Sequence, residues 1–120
     1  MYKAILVASG GALGSVLRWY MGAVVSKPEH TFPYHTFIVN VVGSLLMGMG
    51  AAWLLKNQSA DELRLFLLTG FCGGFTTFSA FSMEGLQLIQ TQQYSSFGIY
   101  ILASLLLGGL AVFIGYNFMS

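Results

Sequence analysis

The run Gly70-Phe71-Cys72-Gly73-Gly74-Phe75-Thr76-Thr77-Phe78-Ser79-Ala80-Phe81-Ser82-Met83-Glu84 gathers hydroxyl and phenyl side chains beside paired glycines, inside an otherwise apolar stretch. These residue types suit a small, strongly hydrated anion. Thr76, Thr77, Ser79 and Ser82 can donate O–H groups, and the ring edges of Phe75, Phe78 and Phe81 carry the positive part of the aromatic quadrupole. Plainer uses stand beside this chemistry. The three phenyls recur at three-residue spacing and so share one side of a helix, the ordinary pattern of a packing stripe. The hydroxyls can bond back to the carbonyl four residues earlier. Gly73 and Gly74 accept backbone dihedrals that other residues resist. A helix interrupted at residues 73 to 77 leaves carbonyls on one side and N–H groups on the other without intrahelical partners; carbonyls coordinate cations and N–H ends favour anions. In hydrocarbon such an interruption survives only where protein, ion or water satisfies the freed groups. The alternative is that the glycines only let two helices cross closely.

Other polar groups stand alone in apolar surroundings. Asn40, in Phe37-Ile38-Val39-Asn40-Val41-Val42-Gly43-Ser44, offers two N–H donors and one acceptor, either for a bond between helices or for an anion path. Arg18 and Glu84 are costly in hydrocarbon unless they snorkel, pair or face water. Trp19 and Tyr20 suggest that Arg18 lies in an interfacial belt, with a vestibule charge that attracts anions as the other reading. Glu84 would repel an anion when ionised, which places it at the mouth of a path, in a hydrogen bond, or at a proton site. Tyr100 and Ser104 share a helix face at i, i+4 and can extend a polar track. His30 and His35 read as loop residues without a carboxylate pair, so a metal site there is not expected. No nucleophile and base pair, phosphate loop or dinucleotide motif is present, and no enzyme is expected.

Positioning these groups falls to membrane helices. Only 8% of the 120 residues are charged, 56% are hydrophobic and mean hydropathy is +0.73, which marks an integral membrane protein. A net charge of +1 without a basic cluster gives no footprint for nucleic acid. Cys72, the single cysteine, permits no disulfide within the chain and reads as a buried, inert thiol. A bilayer core needs about 20 apolar residues per helix, and four stretches qualify, at roughly 4–25, 36–55, 63–89 and 97–118. The first reads as a span and not a signal peptide, because three comparable runs follow it. The linkers are short and polar, and Ser59 or Asp61 can cap the third helix. The expectation is one domain over residues 1–120, without repeat or low-complexity tail.

Lys3, Lys56 and Arg64 fall on the N-terminal side of the membrane, Lys27 and Arg18 on the other. So weak a bias leaves two readings: one poorly specified orientation, or two oppositely inserted copies paired about an axis in the membrane plane. Gly10-x-x-x-Gly14, Ser44-x-x-x-Gly48 and Gly70-x-x-x-Gly74 suit close helix packing. Four thin helices enclose little volume, so solutes larger than a small ion would need an oligomer.

Gly11-Ala12-Leu13-Gly14-Ser15-Val16-Leu17-Arg18-Trp19, Asn40-Val41-Val42-Gly43-Ser44 and the Gly70–Ser82 run together resemble the Fluc (CrcB) family of small fluoride channels. The likeness runs through all four spans in order, and the third motif is the most specific. It implies an all-α membrane protein with span 3 broken near Gly73–Thr77, assembled as an antiparallel dual-topology homodimer. It further implies two fluoride pores, a structural central sodium ion, and export of toxic fluoride across the cell inner (plasma) membrane. Residue by residue, it makes Asn40 a pore amide and Phe78 and Phe81 the paired rings beside the ion path. Thr77, Ser79, Ser82, Tyr100 and Ser104 become polar parts of the route. Gly73 and Thr76 become the backbone carbonyl ligands of sodium. Arg18 and Glu84 belong to the vestibule. Gly108 stands where some relatives carry a hydroxyl, and Ala80 replaces a hydroxyl common there. The competing reading is a small multidrug proton antiporter, also a four-helix dual-topology dimer, which needs an acid in the middle of span 1; span 1 has none.

Overall fold

The computed structural model describes residues 2–25, 32–57 and 61–120. Helix α1 covers Tyr2–Val25 and α2 covers Tyr34–Lys56. The third span opens with α3, Asp61–Arg64, runs on as a π-helix over Leu65–Cys72, and closes its first part with α4, Gly73–Phe75. The last helical bond of this part is from Thr76 N–H to the Cys72 carbonyl, at 3.0 Å. Thr76 (φ −90, ψ 160) and Thr77 (φ −153, ψ 124) are extended, and α5 covers Phe78–Gln90. The chain then turns into α6, Tyr94–Met119. Four runs of helix, Tyr2–Val25, Tyr34–Lys56, Asp61–Gln90 and Tyr94–Met119, are long and apolar enough to cross a membrane.

The expected spans are met with small shifts at their ends. His35, expected in a loop, lies in the first turn of α2, where its ring sits over Gly22 and its Nε2 is 2.9 Å from the Arg18 carbonyl. Since a carbonyl only accepts, that nitrogen carries the proton. His30, Ser59 and Lys27 lie outside the described residues. Asp61 is the first residue of α3, not a cap beyond it.

Backbone proximity organises the bundle. A Cβ on Gly14 would collide with the carbonyl of Phe71 and the N–H of Phe75, and one on Gly74 would lie 2.5 Å from the Gly11 carbonyl. The small residues of α1 thus seat the π-helix and α4. Helices α2 and α6 meet in the same way, with Gly48 against Val112 and Gly115 against Leu45. Val39, Ala52 and Leu54 on α2 and Ala111 on α6 are buried, while many leucines, several phenylalanines and Trp19 are exposed. Such a surface suits hydrocarbon and not water. Helix α5 ends in a motif that satisfies two last-turn carbonyls: Gln93 N–H donates to Leu88 and Gln92 N–H to Ile89, with Gln92 at φ 60.

Candidate functional site

Two consecutive extended threonines carry four backbone polar groups that a continuous helix would have paired, and one side chain on α2 takes two of them. Asn40 accepts the Thr77 N–H on Oδ1 at 3.0 Å and donates Nδ2–H to the Thr77 carbonyl at 3.2 Å. Thr77 also caps α5: its Oγ1 accepts the Ala80 N–H at 3.2 Å and lies 3.3 Å from the Ser79 hydroxyl. Thr76 turns its hydroxyl back to the Cys72 carbonyl at 2.9 Å, four residues earlier. Its methyl fills the space that Gly43 leaves empty; a Cβ there would collide with Thr76 Cγ2.

These bonds free particular carbonyls. In an uninterrupted helix Gly73 C=O would take the Thr77 N–H and Thr76 C=O the Ala80 N–H; those donors go to Asn40 and to the Thr77 hydroxyl instead. The Gly74 carbonyl receives Arg18 Nε–H at 3.1 Å. Arg18 is therefore half-buried across the end of α4, where a cation complements the helix dipole. The paired glycines themselves are helical, and no glycine among the described residues has a positive φ. The extended conformation falls on the threonines, and Gly74 serves close approach to α1.

The interruption also splits the phenyl stripe. Phe75 is 1% exposed and stacks on Phe71 at 6.0 Å, whereas Phe78 is 79% exposed. Phe78 and Phe81 are 5.9 Å apart by ring centroids, and Phe81 lies 5.0 Å from Tyr100. Tyr100 is fully buried and donates its O–H to Glu84 Oε1 at 3.3 Å. Glu84 is thereby paired inside the bundle, between α5 and α6. Ser82 is exposed on α5.

Asn40, Thr76, Thr77, Phe78, Phe81 and Ser104 line one cavity of about 320 Å³. The Ser104 hydroxyl is buried with no hydrogen-bond partner among the described residues. Tyr100, Ser82, Ser79, Glu84 and Arg18 do not line that cavity. Gly43, Ser44 and Met47, which the sequence reading gave no part in the site, do line it, as does Gly108, noted there only for the hydroxyl it lacks. The signal was available for the first two, since i+3 and i+4 from Asn40 put them on its helix face. Among the described residues no group of three His, Cys, Asp or Glu side chains could hold a metal ion.

The family model described as CrcB-like protein, Camphor Resistance (CrcB), matches residues 5–116. The chain belongs to the CrcB family. Among its CrcB relatives, one from Flavobacterium psychrophilum is 47% identical over 96% of this chain and 94% of its own length. Another, from Rhizobium johnstonii, is 47% identical over 99% and 97%. A third, from Azobacteroides pseudotrichonymphae, is 43% identical over 95% and 93%. All three are named fluoride-specific ion channel FluC, a transport activity and not an enzymatic one. With four helices able to span a bilayer, this CrcB chain is a multi-pass membrane protein.

Proposed function

We propose that this chain is a fluoride-selective ion channel that exports toxic fluoride across the plasma membrane, working as an antiparallel dual-topology homodimer with two pores. The observation that carries the reading is the amide of Asn40, which holds Thr77 with its oxygen and one N–H. Its second N–H stays available in a cavity shared with the unpartnered Ser104 hydroxyl and the Phe78 and Phe81 rings. Fluoride is small and holds water tightly, so passage needs substitute donors at close range; a narrow, phenyl-walled path disfavours larger chloride. Ser79 and Ser82, exposed on α5, and Tyr100 extend the polar route. Arg18 and Glu84 bias the vestibule field. Span 3 acts as a membrane helix broken at Thr76 and Thr77.

The same reading gives sodium a structural place. The Gly73 and Thr76 carbonyls have lost their helical donors, and hard carbonyl oxygens fit a hard cation. Two copies would bring four such oxygens together at the dimer axis. Bound sodium would offset the repulsion between these carbonyls, and it would not be transported. A proton-coupled antiporter of cationic compounds is not favoured, because α1 carries no acid to exchange protons.

The test is efflux from liposomes loaded with fluoride or with chloride, read by ion-selective electrodes under a valinomycin-set potential. Fast, valinomycin-dependent fluoride efflux with chloride retained is the expected result. Its absence from verified, folded protein would overturn the proposal.

A further inference from the structure

The cavity beside the phenyls continues past Asn40 and Ser104 for about two further turns of α2 and α6, to Ser44, Met47, Leu105, Gly108 and Val112. Two hydroxyls face it without protein partners. Ser104 Oγ is fully buried and unpaired, and Ser44 makes no side-chain hydrogen bond within the described residues. Ser44 and Ser104 differ in this from the neighbouring threonines, since Thr76 spends its hydroxyl on the Cys72 carbonyl and Thr77 caps α5. A Cβ built on Gly108 would lie 3.6 Å from Ser44 Oγ, so the missing side chain leaves the space in front of that hydroxyl open. Because α2 and α6 pack closely at Gly48 and Gly115, this wall is set by backbone contact and does not collapse onto the gap.

We infer that Ser44 is a further ion-contacting, specificity-determining residue, whose hydroxyl joins that of Ser104 in holding a small anion over the face of Gly108. The inference rests on the fluoride-channel reading. Its chemistry is simple: an O–H donor on each helix, one turn apart, hands the ion from the amide of Asn40 to the α2 wall. The hydroxyl that α6 lacks at residue 108 is thus supplied from the opposite helix. The lining residues farther along α2 and α6, Met47 and Val112, are apolar, so among the lining side chains of that stretch the hydroxyl pair supplies the donors.

The experiment measures fluoride and chloride efflux from liposomes for wild type, Ser44→Ala, Ser44→Ala with Gly108→Ser, and Gly108→Leu, each verified as folded by size-exclusion chromatography. Wild type without fluoride flux would sink the channel reading itself and is thereby separable from the rest. With wild type active, Ser44→Ala should slow fluoride efflux by roughly tenfold, the scale of one lost hydrogen bond to a charged group. Gly108→Ser should return much of that loss, because its hydroxyl enters the same space from the other wall. Gly108→Leu should fill the space and abolish flux. Unchanged flux in Ser44→Ala, or a loss that Gly108→Ser leaves uncorrected, would overturn the assignment.

Discussion

At the scale of single residues, Asn40 is the side chain on which the site turns. It satisfies both backbone groups of Thr77, so its removal leaves a donor and an acceptor unpaired in apolar surroundings. Asn40→Ala should lower stability by about 1–3 kcal/mol and suppress fluoride flux together. Asn40→Asp keeps the acceptor for Thr77 N–H, loses the donor and adds a negative charge, so it should block flux with a smaller loss of stability. Thermal unfolding in detergent alongside efflux separates the two. The phenyls make a second contrast. Phe78 is largely exposed and Phe81 packs on Tyr100. Both changes to Ile should suppress flux, but Phe81→Ile should lower stability further than Phe78→Ile, by about 1 kcal/mol, because it also loses the Tyr100 ring. Normal flux in both would remove the rings from the ion path.

At the scale of elements, the packing of α1 on the first part of span 3 admits no side chain. Gly14→Ala places a methyl against the Phe71 carbonyl, and backbone on both sides must move. The expected outcome is a loss of folded protein, read by size-exclusion chromatography. The end of α5 offers the opposite case. Gln92 sits at φ 60, in a position where glycine is the usual occupant. Gln92→Gly should raise stability by about 0.5–1 kcal/mol, checked by thermal unfolding, because the left-handed strain of the side chain is relieved. A fall would show that the Gln92 side chain makes contacts outside the chain.

At the scale of the whole molecule, weak charge bias and an outward apolar surface frame the assembly. Fusing a strong positive cluster to one linker should force a single orientation. Under the proposed antiparallel dimer, fluoride flux should then fall and recover when an oppositely biased copy is co-expressed. Equal flux from a single-orientation population would defeat the antiparallel arrangement. Replacing sodium by a larger monovalent cation in the same liposomes should weaken the dimer, read as a shift toward monomer.

The sequence alone determined the membrane class, the four apolar runs and the family, because composition and motif spacing are written along the chain. It also marked Gly70–Ser82 as the stretch where polar groups gather. The partners of those groups were not legible, since pairing Asn40 with Thr77 joins residues 37 positions apart. Local rules put the interruption at residues 73 to 77 and credited it to the freedom of Gly73 and Gly74, whereas within that range it is Thr76 and Thr77 that are extended. The physical reason is that Gly74 is consumed by close approach to Gly11 of α1, while Asn40 on a different helix supplies the hydrogen bonds that let Thr77 leave the helix. Only the fold, likewise, put His35 against Arg18 and opened the space before Ser44, because both depend on how neighbouring helices meet and not on any spacing within one.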